Sequence, residues 1–144
     1  MEDIVSKSEE QTAEIAAKFA KNVANGSVIA LHGSLGAGKT VFSRGFARGL
    51  GITDPIPSPT FTIVQEYEVN FEGENQKRWL FHMDLYRIAD SSAALAFGID
   101  EYLYDDNAVK LIEWSERITD LLPATTLNIY INHIDEISRE LRFA

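Results

Sequence analysis

The stretch Gly33-Ser34-Leu35-Gly36-Ala37-Gly38-Lys39-Thr40 constrains the chain more than any other. It fits G-x-x-x-x-G-K-[ST], whose backbone amides can cradle phosphates. At ordinary residue usage the four fixed positions would match by accident in about one of 200 chains of this length. The flanks decide the matter. Val28-Ile29-Ala30-Leu31 upstream is a short apolar run that reads as a buried parallel strand. Downstream, Val41, Phe42, Phe46, Ala47 and Leu50 recur at helical spacing, and Gly51 is placed to stop that helix. Strand, glycine-rich loop and helix together predict a phosphate-loop domain: an α/β fold with a P-loop NTPase-type sheet, flanking helices and antiparallel additions.

The rest of the chain fits one such domain over residues 1–144. A capping-box spelling, Ser8 with Gln11, opens a helix predicted to reach Ala24, with Ile15, Ala16, Phe19, Ala20 and Val23 on one face. Three prolines between Asp54 and Pro59 favour an extended segment. Phe61–Val69 and Trp79–Leu85 read as an antiparallel hairpin across a polar turn. Ser91–Phe97 reads as a short helix and Ala108–Ile112 as a buried strand. Thr126–Ile131 and Ile137–Phe143 read as two final strands around the turn from Asn132 to Glu136. No apolar run reaches 18 residues and no charged-then-apolar leader is present, so a membrane span or signal peptide is not expected. Zero cysteines exclude a disulfide scaffold and fit a cytoplasmic protein. The formal net charge of −9 disfavours unaided binding of nucleic acid, which usually needs a basic face.

The expected chemistry gathers around the loop. Amides of Gly36, Ala37, Gly38, Lys39 and Thr40 would point at a β-phosphate from a helix N-terminus. Lys39 would reach the β- and γ-phosphates, and the Thr40 hydroxyl would ligate Mg²⁺. Gly33, Gly36 and Gly38 would supply unusual backbone angles and close ligand approach. A further acid is needed at a neighbouring strand end, and two apolar runs offer one: Trp79–Met83 ends in Asp84, and Val109–Ile112 ends in Glu113. Ser58-Pro59-Thr60 has the form of a switch whose hydroxyl senses the γ-phosphate, or else simply connects loop to strand. Arg44 reads as a surface residue, Arg87 as a partner for a core acid, and His32 and His82 as core or strand-edge histidines. Trp114 fits packing or a partner contact equally well.

Several separated motifs together resemble one family. LHGSLGAGKT with Phe42-Ser43-Arg44-Gly45, SPTFT at Ser58–Thr62, HMDLYR at His82–Arg87 and LIEWSE at Leu111–Glu116 are similar to those of the TsaE family. The resemblance runs from the first helix to about Pro123. It implies a small bacterial ATPase of the tRNA threonylcarbamoyladenosine pathway, working with TsaD and TsaB while TsaC makes the threonylcarbamoyl-adenylate donor. It implies a need for the protein in repeated rounds of modification, with tRNA met only through the complex. By motif position, Thr40 and Glu113 would hold Mg²⁺, Lys39 the phosphates, and Thr60 the switch. Asp84 would be a further essential acid. The family's adenine pocket would fall near Glu9 and Ile137.

Two rivals differ in class. A small-molecule kinase usually closes an arginine-bearing lid, whereas the polar excursion from Phe71 to Arg78 carries only Lys77 and Arg78. A non-hydrolysing protein locked by bound nucleotide would not need two strand-end acids. The chain contains no N-K-x-D-like guanine reader, which favours ATP as the nucleotide.

Overall fold

The computed structural model describes residues 3–34, 36–53, 63–69 and 78–144. In chain order these form β1 (Asp3–Ser6), α1 (Glu9–Lys21), β2 (Val28–His32), α2 (Lys39–Gly49), β3 (Val64–Val69) and β4 (Arg78–Asp84). Then follow α3 (Ser91–Phe97), α4 (Ile99–Leu103), β5 (Ala108–Glu113), a 3₁₀ segment η1 (Ser115–Leu121), β6 (Leu127–His133) and β7 (Arg139–Phe143).

The seven strands make one sheet in the order β1-β7-β6-β2-β5-β4-β3. Its centre, β6-β2-β5-β4, is parallel throughout. Antiparallel strands close both sides: β7 and β1 beyond β6, and β3 beyond β4. This is the expected P-loop-type sheet with antiparallel additions. The crossovers explain the burial: β5 is buried at every residue, because parallel strands carry helices on both faces.

Alternation along the central strands separates two cores. Ile29, Leu31, Leu80, Val109 and Leu111 join Phe42 and Phe46 under α1 and α2. Phe81, Met83, Ala108 and Ile112 join Ile99, Leu103 and Ile118 under α3, α4 and η1. Lys110 is also buried, and its ammonium donates to the carbonyls of Gly26 (2.9 Å) and Asp105 (2.6 Å). Among the described residues, no helix is long and apolar enough to cross a membrane.

The helices depart from expectation in detail. Ser8 caps α1, its hydroxyl accepting from the Gln11 amide at 3.0 Å. The Gln11 side chain, however, accepts from the Lys7 amide (2.7 Å) and not from that of Ser8, so the box closes one residue early. The helix ends at Lys21, short of Ala24. Where α1 crosses α2, Gly45 and Gly49 lie one turn apart on α2. A Cβ on either would stand 2.4 Å from the carbonyl oxygen of Ala13 or Ala17. Only glycine admits so close an approach.

Three elements lie outside the sequence reading: β1, α4 and η1. β1 pairs with β7, and its Ser6 hydroxyl lies 2.6 Å from that of Thr12 on α1. The final hairpin forms as expected, but β6 continues through His133 and the turn shifts to residues 134–138.

Candidate functional site

The parallel strands release their C-terminal ends along one edge of the sheet. β2 ends there in the glycine-rich loop, β5 in Glu113 and β4 in Asp84. Strand register places Glu113 between Leu31 and Asp84, so both expected acids stand on adjacent strands beside the loop. The loop itself turns through Gly36 (φ 78°) and Gly38 (φ 106°), left-handed angles that other residues adopt at a cost. Gly38 caps α2, leaving its own amide and those of Lys39, Thr40 and Val41 in the first turn without intrahelical acceptors. The macrodipole adds positive potential at that point.

Gly33 also makes room for its neighbours. A Cβ there would lie 2.9 Å from the carbonyl oxygen of Ile131, so this glycine admits the neighbouring strand. The Ser34 carbonyl accepts from the Ala37 amide at 3.0 Å and tightens the loop. Ala37 is buried in the α1–α2 core.

One cavity of about 560 Å³ brings most of the expected residues together. Gly36, Gly38, Lys39 and Thr40 meet Asp84, Glu113 and Glu9 there, with Val41, Tyr86 and Trp114 completing the wall. Ile137 is not part of this wall; it stands 69 % exposed on the hairpin turn. The reason is local: the Asp135 carboxylate accepts from the amides of Ile137 (3.0 Å) and Ser138 (2.7 Å), fixing a turn that leaves the side chain exposed. Leu35, Thr60 with Ser58 and Pro59, and the excursion up to Lys77 lie outside the described residues. A larger groove, about 780 Å³ and lined by Ile15, Phe19, Leu127 and Phe143, opens at the opposite edge of the sheet. Its lining is mainly apolar, with Lys18, Asn22 and Asn128 as the polar members.

The two acids differ in environment. Glu113 is 4 % exposed, and its Oε2 accepts from Nε2 of the buried His82 at 2.8 Å. His82 is thus a carboxylate partner, more than the core histidine expected; the β4–β5 register was the missing information. His32 keeps its expected structural place, with Nε2 2.9 Å from the Asn128 side-chain oxygen and the ring stacked on Tyr130. Asp84 is half-buried, and its Oδ1 accepts from the Tyr86 amide at 2.9 Å. Burial pushes its carboxyl above the ordinary carboxylate range, and the neighbouring Glu113 charge adds to this. The Tyr86 amide, His82 and Lys39 pull the other way.

Trp114 also belongs to the site. It is the one non-glycine residue at positive φ (62°) among those described, directly after Glu113. Strain of that kind costs roughly 1–3 kcal/mol and persists where surrounding contacts hold it. Here the Lys39 Nζ lies 4.4 Å from the indole centroid, and Tyr86 packs against the ring at 5.1 Å. Arg44 is exposed on α2, as expected of a surface residue, and Arg87 is exposed just past β4.

The donor set suits magnesium. Mg²⁺ takes hard oxygen ligands, keeps several waters, and binds through one or two carboxylates plus substrate phosphates. Thr40 and Glu113 supply such oxygens beside the loop. No group of three acids or histidines forms an all-protein metal cage among the described residues. A metal here would therefore complete its shell from phosphate and water.

Comparison with known proteins finds relatives over nearly the whole chain. The family model "Threonylcarbamoyl adenosine biosynthesis protein TsaE" matches residues 6–141. The tRNA threonylcarbamoyladenosine biosynthesis protein TsaE of Bacillus subtilis is 45 % identical over 131 residues, 91 % of this chain and 75 % of that one. Its counterpart in Treponema pallidum is 37 % identical over 140 residues, covering 97 % and 98 %. The crystal structure of Bacillus subtilis YdiB superposes with a TM-score of 0.78 at 37 % identity, over 99 % of this chain and 83 % of that one.

Proposed function

We propose, on the premise that this chain belongs to the TsaE family of tRNA threonylcarbamoyladenosine biosynthesis, that it is a magnesium-dependent ATPase supporting a TsaD–TsaB-type complex. One observation carries the reading: the loop's Gly38, Lys39 and Thr40 share a single cavity with both strand-end acids, Asp84 and Glu113. A bare phosphate-binding turn would not need the acids.

The roles follow from position. Loop amides at the start of α2 would hold the β-phosphate, and Lys39 would balance the β/γ charge. For that, Lys39 leaves the indole face of Trp114. Thr40 and Glu113 would hold Mg²⁺, which would supply positive charge to offset the negative charge that spreads during hydrolysis. Asp84, whose raised affinity for a proton suits a base, would orient the attacking water. Glu9, at the start of α1, fits the nucleoside side of the cavity. Thr60 would act as the γ-phosphate sensor.

The described lining contains one cation, Lys39, and no arginine. An arginine finger is worth about 10³–10⁵ in rate, so hydrolysis by the protein alone should be slow and should change on binding the partner complex. The net charge of −9 supports contact with tRNA through partners rather than directly. A cytoplasmic setting fits such a role.

Phosphate release from the purified protein, with Lys39→Ala as control, tests the proposal. Release without any phosphorylated acceptor supports an ATPase. Tight nucleotide binding with no release would instead make it a nucleotide-locked binding protein, and a phosphorylated small molecule would make it a kinase. Reconstituted tRNA modification, followed over several turnovers with and without the protein, tests the pathway role.

A further inference from the structure

Arg139 opens β7, 102 residues after Ala37 in sequence, yet its side chain ends against the loop. Its Nε donates to the Ala37 carbonyl at 2.9 Å, and one terminal nitrogen reaches the Gly36 carbonyl at 3.4 Å. The other terminal nitrogen donates to the carbonyls of Asp135 and Ser138, each at 2.9 Å. A guanidinium has five N–H donors. Four are therefore spent on main-chain oxygens, two on the loop and two on the β6–β7 turn.

The Ala37 bond has a consequence for the cavity. In a trans peptide the C=O and the following N–H point in opposite directions. With the Ala37 oxygen held by a charged donor, the Gly38 N–H is turned away from Arg139, and Gly38 itself lines the cavity. At φ 106° with no side chain, Gly38 has little intrinsic preference for that orientation. A flipped Ala37–Gly38 peptide would present an oxygen where phosphate needs a donor. We infer that Arg139 is a positioning residue of the phosphate cradle: it fixes the Ala37–Gly38 peptide with its amide inward, and ties that geometry to the β6–β7 turn. This deepens the ATPase reading and rests on it for the identity of the anion. The orientation of the peptide itself does not depend on it.

The test compares the wild-type protein with Arg139→Met, which keeps the aliphatic stem, and with Arg139→Lys. Two readouts are used: the Gly38 amide resonance in nucleotide-free ¹H–¹⁵N spectra, with Gly98 as a distant reference, and calorimetric affinity for Mg-ADP. Arg139→Met should shift or broaden the Gly38 resonance before any nucleotide is added. It should also lower Mg-ADP affinity about tenfold or more, the usual scale for losing a charged hydrogen bond. Arg139→Lys, keeping one charged donor, should recover part of both. If Arg139→Met does not fold, Arg139→Gln takes its place with the same expected direction. An unchanged Gly38 resonance overturns the inference, whether affinity falls, which would make Arg139 a direct nucleotide contact, or stays, which would make it a staple of the turn alone. If Gly38 responds but wild-type protein does not bind Mg-ADP, the positioning role stands and the nucleotide reading falls.

Discussion

His82 Nε2 lies 2.8 Å from Glu113 Oε2, joining two buried side chains of adjacent parallel strands. An outer partner of this kind fixes the orientation of a ligating carboxylate. His82→Ala should therefore weaken Mg²⁺ affinity of the nucleotide complex about 10–100-fold. Titrating Mg²⁺ at fixed ADP, against ADP binding without metal, checks this. Equal losses in both would assign His82 to folding alone.

The two acids should separate by readout. Glu113→Ala is expected to lose metal-dependent nucleotide binding. Asp84→Ala should leave that binding within about threefold and lower phosphate release by about 10²–10⁴, the usual scale for a positioned proton acceptor. The reverse pattern would exchange their roles.

Asp84 also makes a prediction about pH. Its folded-state affinity for a proton is raised, chiefly by burial. A carboxyl raised on folding favours the native state most at low pH, and that contribution is lost as pH climbs from the unfolded value, about 3.9, through the raised folded value. At neutral pH the ionised group costs stability. Asp84→Asn should therefore raise the Tm of the nucleotide-free protein at pH 7, with the gain shrinking towards pH 4. A gain that stayed constant across that range would rule out burial of the charge as its cause.

Trp114 offers an optical report. Lys39 Nζ rests 4.4 Å from its ring centroid, and phosphate would draw the ammonium away. With Trp79→Phe removing the other tryptophan, Mg-ADP should change the emission of Trp114. Lys39→Met in that background should show altered emission before nucleotide is added. Identical emission in both free proteins would deny the contact in solution.

Gly45→Ala and Gly49→Ala place a methyl group 2.4 Å from a carbonyl oxygen of α1. Overpacking of that kind costs about 1–3 kcal/mol. Thermal or urea unfolding should show it for each variant, despite alanine's better helix propensity.

Local spelling made much of this legible. β2, α2, both hairpins, α3 and the two acids follow from periodicity and strand-end position. What escaped depends on contacts distant in sequence. β1 is too short to read by pattern and exists through its pairing with β7. His82 became a carboxylate partner only once β4 lay parallel to β5, and Arg139 met the loop only once β7 returned beside it. Ile137, read as the start of the last strand, sits instead in the turn held by Asp135, and β7 begins only at Arg139. The family resemblance supplied the pathway, which no spacing of residues contains.

The crossing of α1 over α2 has a mechanical outcome. Two glycines seated against main-chain oxygens bring the backbones of α1 and α2 closer than any side chain would allow. Interiors packed this tightly transmit strain. A protein docking on the first helix would therefore push on the element that begins with Lys39 and Thr40.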